Sequence, residues 1–282
     1  MTRAKAAIGT IALAIAAPLA SQPANPPVVA ALAVIPGYTD LAEMVLAAPI
    51  VVVADIVRAT PLKGDQAAGV PPGRARLYFE ADVVTLIRGA GGLPGHVTYL
   101  ADVPLERSNR IPKLKKQRVL LLAAPVPGRP AELRLVGPAA QLGWTRAAEQ
   151  RVRAIVAEVI APDAPPAITG ITGAFHVPGS LPGESETQIF LRTAAARPIS
   201  LSVLRRPGEQ ARWAVALGEM VDNSAKPPAR DTLLWYRLAC GLPPRLPDAA
   251  LATLDEAGRI AAAQDYELIR QGLGPCGRGG AG

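Results

Sequence analysis

The side chains best suited to acid–base chemistry surround His176, one of only two histidines in the chain. The ten residues that follow it include two serines and two glutamates, namely Ser180, Glu184, Ser185 and Glu186. A hydroxyl nucleophile is activated when a histidine accepts its proton and a carboxylate orients that histidine. The segment therefore supports one hypothesis, a hydrolase with its site around His176 and Ser185.

Other features of the sequence count against catalysis. Ser185 lacks the second glycine of a nucleophile elbow, and the chain after it is predicted to be a strand instead of a helix. His176 would bind a metal only if the loop folded back and brought both glutamates to it. The other imidazole, His96, is typical of a surface residue at the end of a turn. The glycine-rich residues 89–92 precede neither a helix nor a Lys-Ser/Thr pair, so they indicate a hairpin turn and not a phosphate loop.

The surplus of positive charge lies in one segment, residues 106–118. The formal net charge of the chain is +7, and removal of Arg3 and Lys5 with a signal peptide would lower it to +5. This segment alone supplies that remaining positive charge. Against one acid, Glu106, it carries six cations: Arg107, Arg110, Lys113, Lys115, Lys116 and Arg118. No aromatic residue accompanies them, whereas nucleic-acid-binding surfaces combine basic residues with aromatic side chains for stacking. Nucleic acid is therefore not a predicted partner.

Two interpretations of this basic segment stay open. It is either a solvated loop or a site for an anion, such as an envelope phosphate, an acidic glycan or an acidic protein partner. A smaller cluster is the next candidate for anion recognition, because guanidinium groups bind anions through paired hydrogen bonds. It consists of Arg205, Arg206, Arg212 and Trp213.

The N-terminus has the layout of a secretory signal peptide. Two basic residues precede the apolar run Ala6–Ala17, and small residues follow around Ala20, where we expect cleavage. Since the run is shorter than the ~20 residues that cross a bilayer, the mature chain is expected to be periplasmic or extracellular and not membrane-spanning. Cys240 and Cys276 are the only cysteines, and in an oxidising compartment they are expected to form a structural disulfide.

The composition and periodicity predict a globular, mainly β protein with flanking helices. Hydrophobic residues make up 50% of the 282 residues and charged residues 19%, which excludes a disordered chain. In the first half, apolar spacing and period-two alternation predict helix Asp40–Ala48 with Thr39 or Asp40 as its N-cap, then strands Val51–Val57, Arg74–Arg88 and Val97–Leu100, hairpin strands Arg118–Ala123 and Glu132–Val136, and helix Thr145–Ile160. In the second half they predict strands Thr187–Leu191, Ile199–Leu204, Arg212–Leu217 and Thr232–Cys240, and a C-terminal helix Ala249–Gln271 capped by Asp248.

Residues 38–160 resemble the netrin-like modules of the OB-fold group. The resemblance rests on the Asp40–Ala48 helix leading into Val51–Val57, on Thr85-Leu86-Ile87-Arg88-Gly89 at the end of the long strand, and on the basic stretch before Val119–Ala123. It implies a small closed barrel used for binding. Netrin-like protease inhibitors rely on a cysteine at the mature N-terminus, and none is present here, so inhibition is not implied. Over its whole length the chain also resembles uncharacterised exported proteins of GC-rich Gram-negative bacteria, which implies no activity.

Together these patterns predict the following organisation. A signal peptide covers residues 1–20, a linker 21–37, an OB/netrin-like barrel 38–160, a proline-rich linker 161–167, an antiparallel β domain 168–247, and a C-terminal helix and tail 248–282. The predicted function is a non-enzymatic binding or structural role at the cell envelope, without a metal or cofactor, in which anionic ligands meet the basic segment. The hydrolase around His176 and Ser185 is the alternative.

Overall fold

The computed structural model describes residues 36–218 and 225–277, so the predicted signal peptide and all but the end of the predicted linker lie outside the described residues. The first half contains α1 (Tyr38–Ala47), β1 (Ile50–Pro61), β2 (Arg74–Arg88), β3 (His96–Pro104), β4 (Arg118–Val126), β5 (Arg129–Leu135), β6 (Gln141–Gly143) and α2 (Arg146–Ile160). The second half contains β7 (Ile168–Pro178), β8 (Ser185–Thr193), β9 (Ile199–Arg205), β10 (Arg212–Ala216), α3 (Leu233–Gly241) and α4 (Glu256–Leu273). Short 3-10 turns cover Gly64–Ala67 and Asp248–Leu251.

Strands β1 to β5 form a closed barrel. They follow the order β1-β2-β3-β5-β4, and pairing of β4 with β1 closes the ring. All pairs are antiparallel except β3 and β5, which run parallel over only two residue pairs. Inside the barrel, the rings of Phe79 and Tyr99 stack with their centroids 4.8 Å apart. The predicted fold class is confirmed: the protein is mainly β, with a small barrel, a second antiparallel sheet and a C-terminal helix.

The long apolar run at the start of β1 reflects burial on both faces. Val52 and Ala54 point into the barrel core, whereas Val51 and Val53 belong to a second core outside the barrel. That second core is formed by α1, α2, the second sheet, α3 and α4. A strand covered on both sides cannot alternate between apolar and polar residues, which explains the unbroken run Ile50–Ala54. The domain boundary at 161–167 stays a prediction, and the second core draws residues from both sides of it.

The second sheet has four antiparallel strands in the order β10-β9-β8-β7. Strands β8, β9 and β10 confirm three of the predicted strands. The fourth prediction, a strand at Thr232–Cys240, is wrong, because these residues form α3. The Thr232 hydroxyl accepts a hydrogen bond from the Trp235 backbone N–H at 3.3 Å and so caps a helix, which the alternation of apolar residues alone did not reveal. The fourth strand of the sheet is instead β7, which pairs with β8.

Two helix starts also differ from the prediction. The helix α4 begins at Glu256 and not at Ala249, because the Asp255 carboxylate accepts the Gly258 N–H at 2.7 Å and caps it there. At α1 the N-cap is Gly37 and not Thr39 or Asp40. Thr39 is buried, and its hydroxyl donates to the Cys276 carbonyl, so it is used for a contact with the C-terminal segment.

The predicted disulfide is present. Cys240 at the end of α3 is bonded to Cys276, which follows α4, with a Cα–Cα distance of 4.9 Å. The bond holds the end of α4 to a helix and not to the strand that was predicted there. Within residues 36–218 and 225–277, no helix is both long and apolar enough to cross a membrane.

Candidate functional site

The predicted basic segment connects β3 to β4, and we call residues 106–117 the basic loop. Five of its side chains are cationic and exposed: Arg107, Arg110, Lys113, Lys115 and Lys116. Among the described residues none of the five has an ion-pair partner. The loop therefore presents a block of positive charge that no acidic side chain of the described residues neutralises.

Arg118 lies apart from this block because it is the first residue of β4. Its guanidinium donates two hydrogen bonds to the Asp55 carboxylate, at 2.8 and 2.9 Å, and stacks 5.3 Å from the Trp144 ring centre. The hydrogen bond to Asp55 raises the pKa of Arg118 above its usual value. The Arg118 charge is thus already compensated, and this residue fastens β4 to β1.

The basic loop is anchored to the barrel by a buried side chain and by backbone hydrogen bonds. Leu114 is only 2% exposed and packs into the barrel core. The Lys116 N–H donates to the Ile56 carbonyl at 2.8 Å, and the Ile56 N–H donates to the Gln117 carbonyl at 2.9 Å. Lys116 also has a φ of 68°, a left-handed conformation that non-glycine residues rarely adopt and that the surrounding contacts must hold in place.

A groove lies between this loop and β1. Its volume is about 500 Å³, within the usual range for small-molecule sites. The lining combines apolar side chains with cations, and its residues are Val57, Arg58, Ala59, Ile111, Pro112, Lys113, Leu114, Lys115 and Lys116. Arg58 adds a fourth cation to the three lysines, although it also contacts Glu80 at 3.2 Å. The arrangement can hold an anion through several ammonium groups at once.

A second groove, of about 980 Å³, crosses the barrel where β3 and β5 separate. Tyr78 and Leu100 are cross-strand partners that expose apolar surface in it. Its charges are largely matched within the protein: Arg76 donates two hydrogen bonds to Asp102, at 2.7 and 2.9 Å, and Arg129 contacts Glu132 at 2.8 Å. Arg134 is the one cation of this groove without an ion-pair partner among the described residues, so the groove lacks the cluster of unpaired cations that the basic loop carries.

The alternative site at His176 has a different geometry from the one predicted. His176 lies on β7, where its Nδ1 is 2.8 Å from the Thr187 hydroxyl, and that hydroxyl donates to the buried Asp265 carboxylate at 2.5 Å. The structure therefore brings His176 to a threonine and not to Ser185, which pairs with Pro178 two positions along the hairpin. Glu186 precedes Thr187 and so points to the opposite face of the sheet from His176. No group of three or more metal-ligating side chains occurs in the described residues.

Of the remaining candidates, only Arg206 is exposed without an ion-pair partner among the described residues. Arg205 donates to Asp265 at 2.8 Å and ties β9 to α4. Arg212 contacts Glu209 at 3.4 Å, and the half-buried Trp213 ring lies against Gly272 of α4. His96 is exposed, with Nδ1 2.8 Å from the Asp82 carboxylate. Sequence reasoning missed Asp265, since one aspartate on an amphipathic helix gives no sign that it is buried.

Among these places in the described parts of the chain, the basic loop groups the most cations without an ion-pair partner, five against one in the second groove and one in the arginine cluster. No protein-family model matches this sequence, and no curated protein matches it either.

Proposed function

We propose that this is an exported, non-enzymatic binding protein of the cell envelope whose basic loop holds an anionic ligand or partner. The observation that carries the proposal is the anchored row of five exposed cations without an ion-pair partner among the described residues. Export rests on the signal-peptide pattern of residues 1–20 and on the disulfide, which is a bond typical of oxidising compartments.

Stability does not account for this arrangement of charge. Exposed charges contribute little to folding, and like charges that share one loop repel each other. The left-handed backbone at Lys116 adds a further unfavourable contribution, of about 1–3 kcal/mol. A bound anion would offset the repulsion, and because the loop is already ordered, binding would not have to order it.

The test compares two triple variants of equal charge. In the first, Lys113, Lys115 and Lys116 are replaced by Gln. In the control, the same change is made at Arg146, Arg151 and Arg245, which are exposed and lie outside the loop. We expect the loop variant to elute from a cation-exchange resin and from immobilised polyphosphate at clearly lower salt than the control, with the melting temperatures of both unchanged. If the two variants elute together, net charge alone governs retention and the proposal is wrong.

A further inference from the structure

We infer that the basic loop docks the protein onto an anionic lipid surface, with Ile111 and Val57 inserted among the lipids. This inference rests on the proposed function and names its partner. Both side chains are exposed, Ile111 by 37% and Val57 by 39%, and both line the groove that the three loop lysines also line. An exposed apolar pair beside several cations matches the two layers of a membrane interface, which are the charged headgroups and the hydrocarbon beneath them.

A β-bulge in β1 exposes two consecutive side chains, Val57 and Arg58. Ile56 pairs with Ala81 and Arg58 pairs with Glu80, so Val57 is an extra residue without a partner on β2. Ile56 is buried at 1% exposure, so alternation along the strand turns Val57 outward, and the bulge keeps Arg58 outward as well. Bulges of this kind re-aim side chains near binding sites. Without it, strict alternation would place Arg58 on the buried face.

The loop backbone places Ile111 in the same surface. Pro112 and Leu114 are buried, whereas Ile111, Lys113 and Lys115 are exposed. The buried residues therefore anchor the loop, and the residues between them face outward. The outward-facing set combines one aliphatic side chain with cations. A soluble anion would gain from the cations but not from Ile111 or Val57, because water would still cover them. Binding to an anionic bilayer is strengthened both by the cations and by burial of the two aliphatic side chains. This favours a lipid surface over free phosphate or a soluble glycan as the partner.

The experiment measures binding of the mature, disulfide-bonded protein to two kinds of vesicle. One kind contains equal parts of phosphatidylglycerol and phosphatidylcholine, and the other contains phosphatidylcholine alone. We expect the protein to float with the anionic vesicles only, and inorganic phosphate at millimolar concentration not to displace it. Replacing Val57 and Ile111 with Ser should lower the partition coefficient about tenfold, the loss expected when roughly 60 Å² of apolar surface stays in water.

Two further variants serve as references. Val84 and Ile260 are exposed by 43% and 52% and lie outside the groove, so their replacement with Ser should leave vesicle binding unchanged. Replacing the three loop lysines with Gln should lower it about 100-fold, because each contributes about fivefold near an anionic surface. Polyphosphate binding should be lost with the lysines but kept in the Val57 and Ile111 variant.

The outcomes separate this inference from the proposed function. If the Val57 and Ile111 variant binds anionic vesicles as the original protein does, while loss of the lysines abolishes binding, the partner is a soluble or polymeric anion and the lipid inference is wrong. Equal binding to both vesicle types would also overturn it. If the unaltered protein binds neither vesicles nor polyphosphate, both proposals fail.

Discussion

Replacing Leu114 with alanine should destabilise the whole barrel, although Leu114 lies in a loop rich in charge. Its side chain is 2% exposed and packs in the barrel core. Three residues away in the same loop, Ile111 has a similar size but is 37% exposed. The two positions form a matched pair, since the same truncation removes one buried and one exposed aliphatic side chain.

The expected magnitudes differ clearly. Truncating a buried leucine to alanine costs about 2–5 kcal/mol, and because a loop relaxes into the cavity more readily than a strand, we expect about 2–3 kcal/mol for Leu114→Ala. For Ile111→Ala we expect about 0.5 kcal/mol or less, as for other surface substitutions. Urea unfolding, followed by circular dichroism with a shared m-value, measures both free energies of unfolding.

The same pair tests whether the ordered loop matters for binding. Leu114→Ala removes no charge, yet it should weaken retention on immobilised polyphosphate at a temperature where the protein remains folded. The reason is that a loosened loop must be ordered when the anion binds, which costs about 1–2 kcal/mol for each residue that becomes fixed. If both variants are equally stable and are retained equally, the loop is not anchored as described, and the reasoning fails.

Three further predictions concern the rest of the fold. Arg205→Met should destabilise the protein by about 2–4 kcal/mol, because the buried Asp265 carboxylate loses its cationic partner and keeps only the hydrogen bond from Thr187. Adding Asp265→Leu should restore most of the loss, and additive losses in urea unfolding would contradict the pairing. Reduction of the Cys240–Cys276 bond should lower the free energy of unfolding by about 3–4 kcal/mol, and an unchanged melting temperature with reductant would argue against a stabilising role. Burial raises the pKa of Tyr266 to about 12, above its usual value near 10. The contribution of the neutral Tyr266 hydroxyl to the free energy of unfolding is therefore complete below pH ~10 and is lost as the pH rises through ~12. Tyr266→Phe should therefore flatten the alkaline fall in stability, and an unaltered pH profile would show that this hydroxyl is not responsible.

The barrel was largely predictable because its signals are local. The strands of the first half carry β-branched or alternating runs, and Thr145 stands where a helix cap should be. The bulge at Val57 was not predictable, since it shows only once β1 is paired with β2. The sequence also did not indicate which cations of the basic segment lack an ion-pair partner. Arg118 pairs with Asp55, which lies 63 positions earlier in the chain.

The second half was harder to predict because its patterns are ambiguous. Leu234, Tyr236 and Leu238 alternate as a strand would, yet the Thr232 cap and packing against the second core select a helix. In β7, Gly170 and Gly173 fall at breaks in the pairing register, so the strand shows no continuous alternation and was missed. The segment after His176 was predicted to be a loop because it contains Pro178, Gly179, Pro182 and Gly183. The link from His176 through Thr187 to Asp265 depends on where α4 packs.

Hydrogen exchange with and without polyphosphate tests most directly whether the basic loop is the binding site. The proposal predicts that bound polyphosphate slows exchange in peptides covering residues 56–59 and 106–117, and that replacing the three loop lysines with Gln removes this protection. Protection in residues 99–102 and 129–138, where the second groove lies, would contradict it. Slowed exchange there with none in the basic loop would place anion binding in the second groove.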